Sequence, residues 1–167
     1  MNNPHKNRQA ELTIRAATEN DVPRVLEYIK KLAVYEKMVD EVVATETLLH
    51  QSLFVHKAAE VLLGEVNGTP VGFALFFQTF STFVGTPNVF LEDLFIDEGH
   101  RGQGYGKALL REVAKAAHAR GAKRLEWVCL NWNAEAIAFY TLIGAKPMDE
   151  WTLFRLEGGA IRNFIRS

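Results

Sequence analysis

Residues 90–107 read FLEDLFIDEGHRGQGYGK, and more of the fold can be predicted from this stretch than from any other. Its first seven residues are mostly apolar and predict a strand. Three glycines at alternate positions, from Gly102 to Gly106, follow the strand. Apolar residues then recur at helical spacing and predict a helix of about 15 residues that ends near Gly121: Leu109, Leu110, Val113 and Ala117. The predicted order is strand, glycine loop, helix.

A glycine loop that opens a helix is typical of an anion-binding site. Glycine allows positive φ and close approach of the backbone to a ligand. The first N–H groups of the helix have no intrahelical partner and carry partial positive charge, which suits a diphosphate. Arg101 and Lys107 could add charge. The alternative is a glycine-rich turn that only joins strand to helix.

Two common nucleotide loops do not match this stretch. A P-loop needs four residues between its glycines and then Lys followed by Ser or Thr, whereas three residues separate Gly102 from Gly106 and Ala108 follows Lys107. A Rossmann loop needs a third glycine where Lys107 or Leu109 stands. Both classes of nucleotide site are therefore excluded.

The rest of the chain alternates between strand and helix patterns. Asn67-Gly68 predicts a tight hairpin between two of the strands, and Thr18 to Asp21 supplies an N-cap candidate before a long amphipathic helix from Val22. Further strands are predicted at Leu12–Arg15, Ala59–Val66, Val71–Phe80, Arg124–Leu130 and Thr152–Leu156, and further helices at Thr45–Leu53 and Ala134–Ile143.

These patterns predict one α/β (α+β) domain over residues 11–167 after a flexible tail at residues 1–10. The chain has 167 residues, of which 48% are hydrophobic, a net charge of −1 and an isoelectric point near 6.5. The sequence lacks the basic excess that would indicate nucleic-acid binding. It also lacks an apolar run long enough to span a membrane and a leader segment. The single cysteine excludes an internal disulfide, and the five histidines lack metal-ligand spacing, so no metal is expected. We expect a cytoplasmic protein.

The loop Arg101-Gly102-Gln103-Gly104-Tyr105-Gly106 resembles the Arg/Gln-x-x-Gly-x-Gly/Ala loop of the GNAT acetyltransferases. A second stretch, from Asn133 through Phe139-Tyr140 to Gly144-Ala145, is similar to another signature of that family. The resemblance covers about residues 11–157. It is strongest to the diamine (spermidine/spermine) and thialysine acetyltransferases, through Leu91-Glu92-Asp93-Leu94-Phe95 and shorter matches near Tyr35, Trp132 and Trp151.

The resemblance implies a GNAT fold, with a mixed, mainly antiparallel sheet of about 6–7 strands and about four flanking helices. It implies an enzyme that transfers the acetyl group of acetyl-CoA to a primary amine of a small molecule, and a homodimer, for which Ile161, Phe164 and Ile165 are apolar interface candidates. The implied cofactor-binding residues are Leu94, Phe95, Ile96, Arg101, Gly102, Gln103, Gly104, Tyr105, Gly106, Lys107, Asn133 and Tyr140.

An alkylamine has a pKa near 10.4, so a proton acceptor is needed before it can attack a thioester at neutral pH. Strand alternation points Glu92 and Asp93 to opposite faces, so only one of them can face a given pocket. The resemblance implies that Glu92 is the base, directly or through water, and that Asp93 shapes the site. It also implies that Tyr140 donates a proton to the leaving thiolate. The alternatives are ion-paired carboxylates at a strand end and a packed aromatic residue.

The resemblance also suggests that Tyr35, Glu36 and Trp151 line the amine pocket, together with Glu92 and Asp93; a solvated helix end and a core tryptophan are the alternatives. The stretch Phe80–Gly85 contains no carboxylate, which disfavours long polyamines and favours a thialysine-like or other short amine. A protein lysine or N-terminus, an antibiotic amine, and a non-catalytic acyl-CoA sensor remain alternative functions.

Overall fold

The computed structural model describes residues 11–167, and the tail predicted at residues 1–10 lies outside this range. The chain forms two compact units, of which the first ends at Val128 and the second is Cys129–Ser167. Each unit is described by itself, and the single domain expected over residues 11–167 stays a prediction. None of the helices in residues 11–167 combines the length and the apolar character needed to span a membrane.

The first unit contains a five-stranded sheet whose strands follow one another in chain order. Neighbouring strands are antiparallel except for the last pair, which is parallel because a loop and a helix connect its strands. At the predicted hairpin, Asn67 and Gly68 both have positive φ, 52° and 76°, as a two-residue turn between twisted strands requires. The strands are β1 Leu12–Ala16, β2 Glu60–Val66, β3 Thr69–Ser81, β4 Thr86–Ile96 and β5 Leu125–Trp127.

Helices of the first unit cover both faces of this sheet. The first unit contains α1 Val22–Glu36, α2 Glu46–His50, which continues as a π-helical turn over Gln51–Val55, and α3 Tyr105–Ala119. The second unit contains α4 Ala134–Leu142 and α5 Gly159–Arg166. Short 3₁₀ turns precede α1 at Glu19–Asp21, follow it at Val39–Glu41, and begin the glycine loop at Glu98–His100.

The core between α1 and the sheet is built around aromatic rings. Tyr28 on α1 is fully buried, and its ring stacks on that of Phe73 at 5.4 Å between centroids, with the Phe95 ring 6.0 Å away. Burial of such aromatic residues contributes roughly 1.5–3 kcal/mol each. The fully buried Leu109 and Val113 of α3 pack across the other face of the sheet. The strand order and the two layers of helices hold the carboxyl end of β4 close to α1.

The structure corrects several predicted elements. Residues 11–167 contain five strands rather than six or seven, and five α-helices rather than four. Thr152–Leu156 is not a strand, since its unit contains no other strand to complete a ladder. The predicted strand Arg124–Leu130 is reduced to Leu125–Trp127, where pairing with β4 ends. Helix α5 was not predicted, although Ile161, Phe164 and Ile165 have the i, i+3, i+4 spacing of one helical face.

Candidate active site

Strand β4 contains a β-bulge at Glu92. Leu75 of β3 is opposite Asp93 and the next residue, Phe76, is opposite Leu91, so Glu92 is an extra residue with no partner in β3. A bulge bends its strand and redirects side chains, and such irregularities are frequent beside active sites. Regular alternation therefore does not hold across Leu91–Asp93, since Leu91 and Asp93 are opposite consecutive residues of β3. That Glu92 and Asp93 point to opposite faces stays a prediction.

Asp93 shares the face of the sheet that α1 covers. Its partner Leu75 belongs to the buried cluster beneath α1, and directly opposed residues in antiparallel strands point to the same side. Burial, and then the negative charges of Glu92 and Glu36, raise the pKa of Asp93 to about 7. Burial also raises the pKa of Glu36. The structure thus brings together three of the carboxylates that the sequence analysis selected.

The end of α1 supplies Tyr35 and Glu36, both of which are partly buried. The helix ends at Glu36 because Lys37 adopts left-handed geometry, with φ 62° and ψ 35°, and donates its N–H to the last turn. The N–H of Met38 closes the cap on the carbonyl of Ala33, 2.8 Å away. This cap fixes where the helix stops and hence where Glu36 stands relative to β4.

The glycine loop connects β4 to α3 as predicted. Gly102 and Gly104 have φ of 73° and 82°, and Gly104 is the N-cap of α3. A β-carbon on either glycine would meet no atom within 4 Å, so the backbone is open to a ligand there. The first-turn amides of α3 lack intrahelical acceptors by geometry, and Lys107 is exposed beside them. This cradle fits the diphosphate of a nucleotide-type carrier.

The Arg101 side chain lies over aromatic rings at the end of β4. Its Nε donates to the carbonyl of Ile96 at 3.1 Å. Its guanidinium carbon is 4.8 Å from the centroid of the Tyr35 ring and 5.4 Å from that of Phe95. The arginine therefore joins the glycine loop to α1.

The ladder between β4 and β5 is short. Its last pair is Leu91 with Trp127, directly before the bulge, so the parallel pairing does not extend to Leu94, Phe95 and Ile96. The other edge of this part of β4 pairs with β3 up to Ile96 and Gly72. A strand segment paired on one edge can accept an extended ligand along the other edge by main-chain hydrogen bonds.

The remaining predicted site residues belong to the second unit. The side-chain oxygen of Asn133 accepts a hydrogen bond from the N–H of Ala136 at 3.2 Å and so caps α4. Tyr140 is on α4, with its ring centroid 5.3 Å from that of Phe139. The N–H of Trp151 donates to the carbonyl of Met148 at 3.1 Å.

One contact was missed by the sequence analysis. Asp97, directly after β4, accepts hydrogen bonds from Lys31 at 2.8 Å and from the Tyr28 hydroxyl at 3.3 Å. It ties the start of the glycine loop to α1, two turns before Tyr35. An aspartate between a strand and a glycine-rich turn is a typical capping residue and was the available signal. No group of three or more His, Cys, Asp or Glu within residues 11–167 is arranged to hold a metal ion.

Comparisons with known proteins agree with one another. Residues 26–145 match the model of the acetyltransferase (GNAT) family. A thialysine N-epsilon-acetyltransferase from Sus scrofa is 36% identical over 92% of this chain and 96% of its own. An L-ornithine N5-acetyltransferase from Arabidopsis thaliana is 32% identical over 89% of this chain and 86% of its own. An integron cassette protein from Vibrio cholerae superimposes with a TM-score of 0.78, at 24% identity, over 93% of this chain and 98% of that chain, which concerns the fold alone.

Proposed function

The chain belongs to the GNAT acetyltransferase family, with its mixed α/β fold, and is an N-acetyltransferase; from this we propose that it transfers the acetyl group of acetyl-CoA to the primary amine of a small molecule. Acetyltransferases of this family use acetyl-CoA in general. The observation that carries the proposal for this chain is the group of carboxylates at the bulge of β4, next to the glycine loop. The negative carboxylates suit a cationic acceptor, and the diphosphate cradle suits an anionic donor.

Acetyl-CoA supplies the thioester carbonyl that the amine attacks. The amides from Gly102 to Lys107, with Gln103, Tyr105 and Gly106 between them, bind its diphosphate, and Lys107 adds a positive charge. The backbone of Leu94, Phe95 and Ile96 binds the pantetheine arm along the edge of β4 that β5 leaves unpaired. Asn133 orders the arm, as the family resemblance implies. The positive-φ glycines and the short ladder support these assignments.

The acceptor amine is bound as an ammonium ion by Glu36 and Asp93 and loses its proton to Glu92. Without a base, the small neutral fraction of an alkylamine at pH 7 would cost about 4–5 kcal/mol. The nitrogen–carbon bond forms as the carbon–sulfur bond breaks, and Tyr140 donates a proton to the departing sulfur. Tyr35 and Trp151 line the amine pocket. The raised pKa of Asp93, caused partly by Glu92 and Glu36, supports the grouping of these carboxylates.

The acceptor we favour is an amino acid with a terminal side-chain amine. Two relatives are named for thialysine and for ornithine, and both are more than 30% identical to this chain. The turn between β3 and β4, within Phe80–Gly85, carries no carboxylate that would anchor a distant amine of a long polyamine. Thialysine, ornithine or a short diamine therefore fits better than spermine.

The test is release of free CoA thiol from acetyl-CoA across a panel of amines. We expect turnover with thialysine, ornithine or short diamines, weaker turnover with spermidine, and loss of turnover with preserved CoA affinity in Tyr140→Phe. Lysine-containing peptides and aminoglycosides in the same panel test the alternative acceptors. CoA binding without turnover on any amine would favour an acyl-CoA sensor. A homodimer in the cytoplasm remains a prediction for this chain.

A further inference from the structure

The side chain of Arg101 is held in place by three groups that do not belong to the diphosphate cradle. Its Nε donates to the Ile96 carbonyl at 3.1 Å, and its guanidinium carbon lies 4.8 Å from the Tyr35 ring centroid and 5.4 Å from that of Phe95. Its backbone N–H donates to the Glu98 carbonyl at 3.2 Å. The side chain is therefore bound to the end of β4 and to α1.

The Tyr35 ring, in turn, fixes the end of α1 at the acceptor site. Tyr35 precedes Glu36, the last residue of the helix, and Glu36 is close enough for its charge to act on Asp93. A cation over an aromatic ring is attracted by the ring's electron-rich face, and more strongly when the pair is shielded from water. Losing the guanidinium would remove one of the contacts that hold the Tyr35 ring, which also packs against the buried cluster, and let Glu36 shift relative to Asp93.

We propose that Arg101 is a positioning residue for the acceptor amine: its guanidinium stacks on Tyr35 and so sets the position of Glu36 opposite Asp93. This inference rests on the proposed function. It assigns the side chain to the acceptor half of the site, while the backbone of the same loop binds the donor. Lys107, exposed at the first turn of α3, is then the side chain that neutralises the diphosphate.

Two donors separate this role from a diphosphate contact. Acetyl-CoA carries the diphosphate, whereas acetylpantetheine carries the same thioester without it. We expect Arg101→Gln to raise the KM for the amine about 5–10-fold with either donor, from the loss of roughly 1 kcal/mol, and to change CoA affinity less than about twofold. Lys107→Gln, the matched control, should weaken acetyl-CoA binding and leave the KM for the amine unchanged.

A double-variant cycle then tests whether Arg101 acts through Tyr35. Tyr35→Leu should raise the KM for the amine, and Arg101→Gln should add little in that background because the ring through which Arg101 acts on Glu36 is gone, although Phe95 remains. Arg101→Lys keeps the charge but loses the planar stacking and the Nε bond, and we expect an intermediate KM. Thermal unfolding of each variant identifies any general loss of folding.

The outcomes are distinguishable. An Arg101→Gln effect that disappears with acetylpantetheine, or that falls on CoA affinity with an unchanged KM for the amine, overturns the positioning role while wild-type turnover keeps the proposed function. Additive effects of the Arg101 and Tyr35 substitutions also overturn it. A wild-type protein that acetylates no amine in the panel overturns the proposed function itself.

Discussion

Asp93 differs from an ordinary aspartate because burial and two neighbouring carboxylates act on its carboxyl group. Burial removes water from the carboxylate, and Glu92 and Glu36 add negative potential, so its pKa rises to about 7. At neutral pH this group is therefore divided between its two protonation states. A bound ammonium would favour the charged form, since opposite charges stabilise each other at short range.

We expect the pH dependence of kcat/KM to report Asp93. Only the deprotonated carboxyl attracts the ammonium, so kcat/KM should fall as the pH drops through about 7. In Asp93→Asn this ionisation should disappear, and kcat/KM at pH 8 should be lower by about 10–100-fold, because one charge of the acceptor site is gone. Steady-state kinetics between pH 5.5 and 9, a range chosen to lie roughly 1.5–2 units on either side of that pKa, make the measurement.

Protein stability supplies a control that does not depend on turnover. The pKa of Asp93 is about 7 in the folded protein and about 3.9 in an unfolded chain. The folded state binds this proton more tightly, so the stabilisation is present at low pH and is lost as the pH rises from about 4 to 7, by on the order of 3 kcal/mol. Asp93→Asn should remove this loss. An identical pH dependence in the variant would contradict the assignment.

The identity of these carboxylates could be predicted from the sequence, but not their arrangement. Glu92 and Asp93 are adjacent in a recognisable strand, and Glu36 ends a periodic helix. The bulge is a property of the register between β3 and β4, and the single-strand pattern carries no signal for it. The Arg101 contacts depend on how α1 crosses β4, which is likewise a long-range property.

The glycine loop between β4 and α3 needs backbone conformations that residues other than glycine rarely adopt. Gly104 caps α3 at φ 82°, a region that costs other residues roughly 1–2 kcal/mol. Gly99 in the same loop has no such requirement, and a β-carbon there would meet no atom within 4 Å. The two positions therefore form a matched pair within one loop.

We expect Gly104→Ala to weaken CoA binding about 5–30-fold, because the loop must strain or shift before its amides converge on the diphosphate. Gly99→Ala should bind CoA within about twofold of the wild type, since one added methyl group meets no neighbour there. Isothermal titration calorimetry with CoA measures both. Equal affinities for the two variants would argue against a binding role for the positive-φ backbone.

Elements with a strong local pattern were predicted from the sequence, and the errors fall on short segments after residue 123. The helix that leaves the glycine loop has the expected 15 residues, and the Asn67-Gly68 hairpin is confirmed. Thr152–Leu156 has an alternating pattern, yet a strand also needs a neighbour, which no local pattern supplies. Helix α5 was overlooked because eight residues give its periodicity little weight.

For the protein as a whole, the tightest packing beside a glycine in residues 11–167 is between β3 and β4, at Gly72. A methyl group on Gly72 would lie 2.5 Å from the Phe95 carbonyl oxygen and 2.5 Å from Cδ1 of Ile96. The carbonyl is backbone and cannot rotate away, so the strands themselves would have to separate. This is the end of β4 that leads into the glycine loop, so packing and function depend on the same contact.

We expect Gly72→Ala to destabilise the protein by about 3 kcal/mol or more, which corresponds to a fall in Tm of roughly 6–12 °C at this chain length. Gly64→Ala on β2 is the control, since its methyl group would meet only side chains: the flexible end of Leu12 at 3.3 Å, and Leu109 at 3.6 and 3.7 Å, which is ordinary contact. Its cost should stay below about 1.5 kcal/mol. Calorimetric unfolding compares the two variants. A Gly72→Ala protein as stable as the wild type would contradict the tight packing of β3 against β4 at Gly72.

The unpaired position in β4 also has an evolutionary consequence. Phe90 is opposite Phe77, and Phe95 is opposite Phe73. The positions on one given face of β4 are therefore even-numbered before Glu92 and odd-numbered after it. Removing one residue here would bring the two parities into step, leave the flanking pairs in register and erase the bulge that bends the strand. Selection should therefore act against a deletion here as well as against loss of the side chain, because the extra residue sets the bend of the strand and its carboxylate sets the chemistry.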